Sequence, residues 1–189
     1  MNTVAHMVIA SAALARRDAP RRNTAILVGA LAPDASMFVF FAWSRFQGWS
    51  GDETWNVQYW TEPWQTLGAI SNSFVIFGVA LILALWRKWL LLAVLSGAAL
   101  LHIGLDFPLH ADDAHRHFWP LTDWRFQSPV SYWDPDANGL IGGAIESVCA
   151  LAALFVLWLR FSELKWRVLF SLLAALQISA MTAQIIWMG

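Results

Sequence analysis

Residues 89–109 read WLLLAVLSGAALLHIGLDFPL, an apolar run that ends in two ionisable side chains, His102 and Asp106. A helix needs about 20 mostly apolar residues to cross roughly 30 Å of hydrocarbon, and this run is long enough. Ionisable residues inside such a segment are costly and mark functional positions. The two side chains are four residues apart, so they lie on one helix face, one turn apart. The stretch predicts a membrane helix with a polar site near one end.

Further runs of similar length and composition lie at 23–43, 67–86, 139–159 and 168–188. Only two residues separate the run at 67–86 from that at 89–109, which predicts a tight antiparallel hairpin. The shorter apolar segment at 3–15 predicts a retained helix rather than a cleaved leader, because no basic residue precedes it. We therefore predict an all-α, polytopic integral membrane protein with about five transmembrane helices plus a short N-terminal helix, in one domain over 1–189.

The composition supports this class and excludes others. Hydrophobic residues make up 58% and charged residues 13% of the 189-residue chain, against about 45–50% and 25% in soluble domains. A net charge of −1 offers no basic stripe for a nucleic-acid partner. One cysteine, Cys149, excludes a disulfide or a cysteine zinc site within a single chain, and its apolar surroundings predict a small buried residue.

The loops predict one orientation. Arginine and lysine are concentrated in the short segments at 16–22, 87–88 and 160–167, whereas the loops at 44–66 and 110–138 are longer and rich in tryptophan. Positive-inside bias places the basic segments in the cytoplasm and both tryptophan-rich loops outside, where we expect the tryptophans to form an interfacial belt. All five predicted spans alternate consistently under this assignment.

Six polar side chains from five predicted segments fall at a similar depth in the outer half of the bilayer, roughly 15 to 27 Å from their cytoplasmic flanks at about 1.5 Å per residue. They are His6, Asp34, Asn72, His102, Asp106 and Glu146. Pro33 is expected to break the helix before Asp34, and such a break is tolerated in a membrane mainly where the backbone lines a cavity. A shared polar site explains this common depth, and hydrogen bonds between packed helices are the alternative.

The sequence has no G-x-S-x-G elbow, phosphate-binding glycine loop or H-E-x-x-H motif. Metal-activated water with histidine and carboxylate ligands is the chemistry that it supports. His110, His115 and Glu146 are the candidate proton-transfer residues; the alternatives are that the loop histidines are interfacial polar residues and that Glu146 pairs with a histidine. The candidate substrate-binding residues are Asn72, Arg116, His117 and Arg125, and the two arginines suit an anionic head group.

These motifs resemble those of the membrane-bound metal-dependent hydrolases of bacterial inner membranes. The resemblance comprises His6, GALAPD ending at Asp34, SNS at 71–73, HIGLD at 102–106 and WPL at 119–121. The segment DDAHRHFWPLTDWRFQSPVSYWDP is most similar to a bacterial subgroup often labelled as a cobalamin-biosynthesis protein, although no residue here indicates corrin chemistry. The family usually has T-H-S where this chain has SNS, so Asn72 stands in place of a histidine; the alternatives are a harder metal, substitution by another histidine such as His110, or loss of the catalytic site.

The resemblance implies a divalent metal held by His6, Asp34, His102 and Asp106, with Zn²⁺ expected and Mn²⁺ or Mg²⁺ as alternatives. We expect hydrolysis of a lipid-linked ester or phosphoester in the bacterial inner membrane, at a site that faces the periplasm. The partners would be a membrane lipid or lipid-linked substrate, with a membrane protein or a second copy of the chain as further possibilities. The alternative functions are a non-catalytic subunit or scaffold of a membrane complex and a small metal or ion transporter.

Overall fold

The structure, a computed structural model, describes residues 1–188 and contains no β-strand over that range. The eight α-helices are α1 (Thr3–Leu14), α2 (Pro20–Leu31), α3 (Ala35–Gln47), α4 (Glu62–Ser71), α5 (Phe74–Trp86), α6 (Leu90–Asp106), α7 (Gly139–Arg160) and α8 (Leu164–Met188). Short π and 3₁₀ turns lie in the two long loops, at Glu53–Val57, Gln58–Trp60 and Pro135–Ala137. The predicted all-α class is confirmed.

Three helical segments are long and apolar enough to cross a membrane. The first is Glu62–Trp86, which comprises α4 and α5 taken together, and the other two are α7 and α8. A fourth is added if α2 and α3, which meet at a bend of 62°, count as one span. The helix within the predicted span 89–109 is α6, which is apolar but has 17 residues. The long helices indicate a membrane protein, and the count of five spans stays a prediction.

Helix α1 lies inside the bundle, where it packs against α2, α6 and α7. Its buried side chains are small or medium in size, with Ala5 and Ala10 at most 1% exposed, so neighbouring helices approach it closely. Helix α8 packs mainly against α7. The prediction that Cys149 is buried is wrong, because Cys149 lies on an exposed face of α7. The apolar run around it does not show which helix face packs inward.

The backbones of α2 and α6 touch at Gly29. A side-chain carbon at this position would lie 2.2 Å from the carbonyl oxygen of Leu95, closer than van der Waals radii allow. Glycine at this position therefore permits a short distance between α2 and α6 that any larger residue would prevent. Four residues later Pro33 interrupts the helix, as the sequence predicts, and the chain turns by 62° into α3.

A second break separates α4 from α5 at Asn72 and Ser73. The loop at 110–138 satisfies the backbone there: Phe74 N donates to the carbonyl of His117 over 2.8 Å, and Ser73 Oγ donates to the carbonyl of Trp119 over 2.5 Å. Asn72 Nδ2 donates to the carbonyl of Pro33 over 3.2 Å, which joins the two broken helices. Irregular backbone is thus buried against protein, as its unpaired polar groups require.

Candidate metal site

The helix break at Pro33 leaves the carbonyl of Ala30 free to pair with His102. Because proline has no N–H, α2 ends at Leu31, and Asp34 N donates to the carbonyl of Leu31 over 3.1 Å. The carbonyl of Ala30, at the loosened end of the helix, lies 2.6 Å from His102 Nδ1. A carbonyl oxygen only accepts, so Nδ1 carries the proton and donates it. His102 Nε2 is the ring nitrogen that faces the cluster.

His102 Nε2 lies among carboxylate oxygens. Asp106 Oδ2 is 3.3 Å away and Asp34 Oδ1 is 3.5 Å away. The imidazole is fully buried, and Nε2 has no hydrogen-bond partner within residues 1–188. Buried carboxylates need a positive charge beside them, which a bound cation or a proton on Nε2 would supply. A metal ligand whose other ring nitrogen donates to a backbone carbonyl is a common arrangement.

His6 on α1 completes the cluster. Its Nε2 lies 2.9 Å from Asp106 Oδ1, and its ring stacks on that of His102 with centroids 3.5 Å apart and planes 12° apart. Ligand atoms of His6, His102 and Asp106 all lie within 4.8 Å of one another, and all three residues are buried. The amino nitrogen of Met1 also contacts Asp106. Two imidazoles and a carboxylate are a donor set that suits Zn²⁺.

The structure thus brings together the four residues predicted as metal ligands. Asp34 lies at the edge of the cluster, where it begins α3 and its Oδ2 accepts a 2.5 Å hydrogen bond from Thr3 Oγ1. With Asp34 the site offers two imidazole nitrogens and two carboxylates, which fits a divalent cation in number and charge.

His110 continues the network beyond α6. Its Nε2 lies 3.5 Å from Asp106 Oδ2 and its Nδ1 lies 2.8 Å from Asp113 Oδ2. Burial lowers the pKa of His110, but hydrogen bonds and the charges of both carboxylates outweigh burial and raise the pKa to about 9. Burial raises the pKa of Asp113, and His110 outweighs it, so that pKa lies below its ordinary value. Trp133 Nε1 donates to the same Asp113 oxygen over 3.2 Å.

His115 and His117 have different surroundings. His115 lines the cavity described below, and burial, followed by the charge of His110, lowers its pKa to about 3. His117 is 2% exposed, and its Nδ1 lies 3.0 Å from the carbonyl of Asn72. Burial lowers the pKa of His117 as well. His115 is therefore a neutral imidazole at the cavity wall, and His117 supports the break between α4 and α5.

Glu146, predicted as a proton-transfer residue, lies apart from this network. It accepts hydrogen bonds from the backbone nitrogen of Asn2, over 3.2 Å, and from the Asn2 amide. It is buried on α7 beside Gln177 and does not line the cavity next to Asp106. These contacts attach the start of α1 to α7. The proton-transfer role of Glu146 stays a prediction without a contact to the cluster.

The predicted substrate-binding arginines attach the loop at 110–138 to α4. Arg116 Nη1 donates to Glu62 over 3.1 Å and to Asp123 over 3.0 Å. Arg125 donates from Nη1 to the carbonyl of Ala114 over 2.9 Å and from Nη2 to Gln65 over 3.0 Å. Neither arginine lines the cavity, so their substrate-binding role also stays a prediction. Asn72 does line it.

A cavity of about 250 Å³ opens beside the cluster. Its polar wall includes Asp34, Asn72, Asp106, His110, Asp113 and His115, and its apolar wall includes Met37, Phe38, Phe40, Tyr59 and Trp64. Phe40 is 2% exposed and packs against the other rings, which fixes this aromatic wall.

Sequence reasoning missed Asp113, Tyr59 and Trp64 as cavity residues. Asp113 follows His110 by three positions, a spacing that could have suggested an orienting carboxylate. Trp64 was expected in an interfacial belt, because its place in a tryptophan-rich loop gives no sign that its ring turns inward. Comparisons of the chain with protein-family models, curated proteins and solved structures give no significant match.

Proposed function

We propose that this protein is a metal-dependent hydrolase of the bacterial inner membrane that acts on a lipid-linked ester or phosphoester. The observation that carries the proposal is the buried cluster of His6, His102 and Asp106, whose ligand atoms lie within 4.8 Å of one another, with Asp34 beside His102 Nε2. A divalent cation satisfies all three groups at once. The adjoining cavity gives a substrate access to them.

In this proposal His6, His102, Asp106 and Asp34 hold the ion. A bound Zn²⁺ supplies an acidified water and a Lewis acid for an ester or phosphoryl oxygen. His110 lies next to Asp106 and is oriented by Asp113, so it is placed to exchange a proton with the reacting oxygens. The Asn72 amide nitrogen is occupied by the carbonyls of Pro33 and Gly68, so its oxygen remains to accept from a substrate.

The proposed topology has five spans, with the bent pair α2–α3 and the 17-residue α6 both inserted in the membrane. Basic turns then lie in the cytoplasm and the cavity faces the periplasm. Met37 and Phe38 line the cavity and are 39% and 47% exposed, so a lipid can reach it from the bilayer. This route of access suits a substrate whose ester bond lies next to a lipid tail.

The first test is elemental analysis of the detergent-solubilised protein beside a His102→Ala/Asp106→Ala double variant. We expect near-stoichiometric zinc or manganese in the wild type and little in the double variant, because half of the donor set is gone. Asp112→Ala, which removes an exposed carboxylate of the outer loop, is the control and should keep its metal. Absence of metal from the wild type, even after incubation with excess ion, overturns the proposal.

If metal is bound, short-chain phospholipids in mixed micelles are assayed for release of fatty acid or phosphate ester. Turnover that a chelator abolishes and added zinc restores supports the hydrolase.

A non-catalytic scaffold is the second candidate, and the position of Asn72 favours it. Its side-chain nitrogen donates hydrogen bonds to two backbone carbonyls. The family that this chain resembles has a histidine at this position. A metal site without turnover, together with co-purification of a membrane protein, supports the scaffold.

A further inference from the structure

A groove of about 350 Å³ lies between α1, α2, α7 and α8, and none of its lining residues lines the cavity beside the metal cluster. Helix α1 contributes Val4, Met7, Val8, Ser11 and Ala15 to it. At about 3.6 residues per turn these positions share one face of α1, and His6 lies on the opposite face. The groove is therefore a separate feature of the bundle.

The groove is apolar and open to its surroundings. Its polar lining residues are Ser11 and Asn23, and the Asn23 amide is already bonded to the backbone of Arg16. Val4 and Leu27 also line it and are 46% and 40% exposed. In a membrane protein such a groove faces lipid, so an apolar chain can enter it from the bilayer.

The length of the groove matches one leaflet. Along α1 it extends from Val4 to Ala15, about 16 Å at about 1.5 Å per residue. Half of a hydrocarbon core of roughly 30 Å is about 15 Å. An acyl chain that starts at one membrane surface and ends near the bilayer centre fits this length.

One end of the groove is surrounded by arginines, because four lining residues at helix ends are each next in sequence to one. The lining residues are Ala15, Asn23, Phe161 and Trp166, and the arginines are Arg16, Arg22, Arg160 and Arg167. The segments 16–22 and 160–167 together hold seven basic and two acidic residues. Within residues 1–188 the one ion pair in these segments joins Lys165 to Glu163. This end of the groove therefore has an excess of positive charge.

Backbone carbonyls hold several of these guanidinium groups in place. Arg160 Nη1 donates to the carbonyls of Ser11, over 3.4 Å, and Ala15, over 3.0 Å. Arg17 donates to the carbonyl of Arg160, and Arg22 Nε donates to that of Leu14 over 3.1 Å. A carbonyl satisfies an N–H group but brings no full negative charge, so an anion is the partner that these groups lack.

From these observations we propose that the groove binds one acyl chain of an anionic phospholipid, with the lipid phosphate among the arginines at the ends of α1 and α7. The apolar walls accommodate the chain, and the positive charge at one end selects a head group with a net negative charge. The site requires no metal, so it stands apart from the proposed hydrolase.

The test is native mass spectrometry of the delipidated protein in a neutral detergent. Phosphatidylglycerol and phosphatidylcholine with identical acyl chains are added in equal amounts, and the lipid that stays bound is identified. We expect about a 25-fold preference for phosphatidylglycerol, about fivefold for each of two arginines near the phosphate.

Two variants with matched controls locate the site. Arg16→Gln/Arg160→Gln keeps side-chain donors and removes two charges, so the preference should fall to near unity. Its control, Arg87→Gln/Lys88→Gln, removes two exposed charges from the turn between α5 and α6 and should keep it. Leu27→Trp fills the groove and should abolish retention of phosphatidylglycerol. Its control, Ile82→Trp, changes a residue of α5 that is 70% exposed and outside the groove, and should retain the lipid.

Equal retention of the two lipids by the wild type overturns the inference, and this comparison decides even if Arg16→Gln/Arg160→Gln does not fold. An equal loss in Arg87→Gln/Lys88→Gln also overturns it, because general surface charge would then be the cause. Unchanged retention in Leu27→Trp places the lipid elsewhere and contradicts the groove. A wild-type dimer that retains neither lipid and dissociates in Leu27→Trp assigns the groove to a second copy of the chain and overturns the inference as well.

Discussion

Gly29→Ala tests whether the close approach of α2 to α6 maintains the geometry of the candidate metal site. The added carbon would lie 2.2 Å from the carbonyl oxygen of Leu95, and such contacts are essentially never closer than 3.0 Å. The two helices must therefore separate by at least 0.8 Å. If His102 moves with α6, its 2.6 Å hydrogen bond to Ala30 lengthens to about 3.4 Å, beyond the normal range for N–H···O.

Two losses follow from this separation. Overpacking of a close helix contact lowers the free energy of unfolding by about 1–3 kcal/mol. Loss of the carbonyl that orients a ligating histidine lowers metal affinity by about 10–100-fold. We expect both in Gly29→Ala, although Gly29 contributes no ligand.

The assay is chelator competition for zinc beside thermal unfolding of the metal-free protein. Gly97→Ala is the matched control, because Gly97 lies on α6 with no atom within 4 Å of an added carbon. In this control alanine should stabilise the helix by about 0.5–1 kcal/mol and leave metal affinity unchanged. Wild-type zinc affinity in Gly29→Ala, or an equal loss in Gly97→Ala, would refute the reasoning.

Two further substitutions test the polar contacts of the bundle. Asn72→Asp keeps the side-chain shape but places an acceptor 3.2 Å from the carbonyl of Pro33. We therefore expect the free energy of unfolding to fall by about 1–3 kcal/mol. Unchanged thermal unfolding would show that this hydrogen bond does not join the two breaks. Ser96→Ala removes a fully buried hydroxyl with no partner among the described residues, so we expect no loss and a gain of up to about 1 kcal/mol. A clear loss of stability in Ser96→Ala, measured in the same way, would mean that its hydroxyl is bonded.

The chain's local chemistry determines much of the fold by itself. Long apolar runs with short basic turns predict helices, and the structure has helices at each predicted run. Pro33 predicts the break before Asp34, because the missing N–H and the ring clash are properties of one residue. The spacing of His102 and Asp106 fixes their common face, since helix geometry is the same in any surroundings. These features depend on residues close in sequence.

Only the tertiary structure decides which faces meet. An apolar helix has no polar side to show its rotation, so the sequence predicts the depth of His6 but not its stacking on His102 across the bundle. The same limit explains the error at Cys149. The loop at 110–138 pairs with the backbone at the break between α4 and α5, and it places Asp113 at the cavity. Such partners are distant in sequence, so packing of the whole bundle, rather than local pattern, determines them.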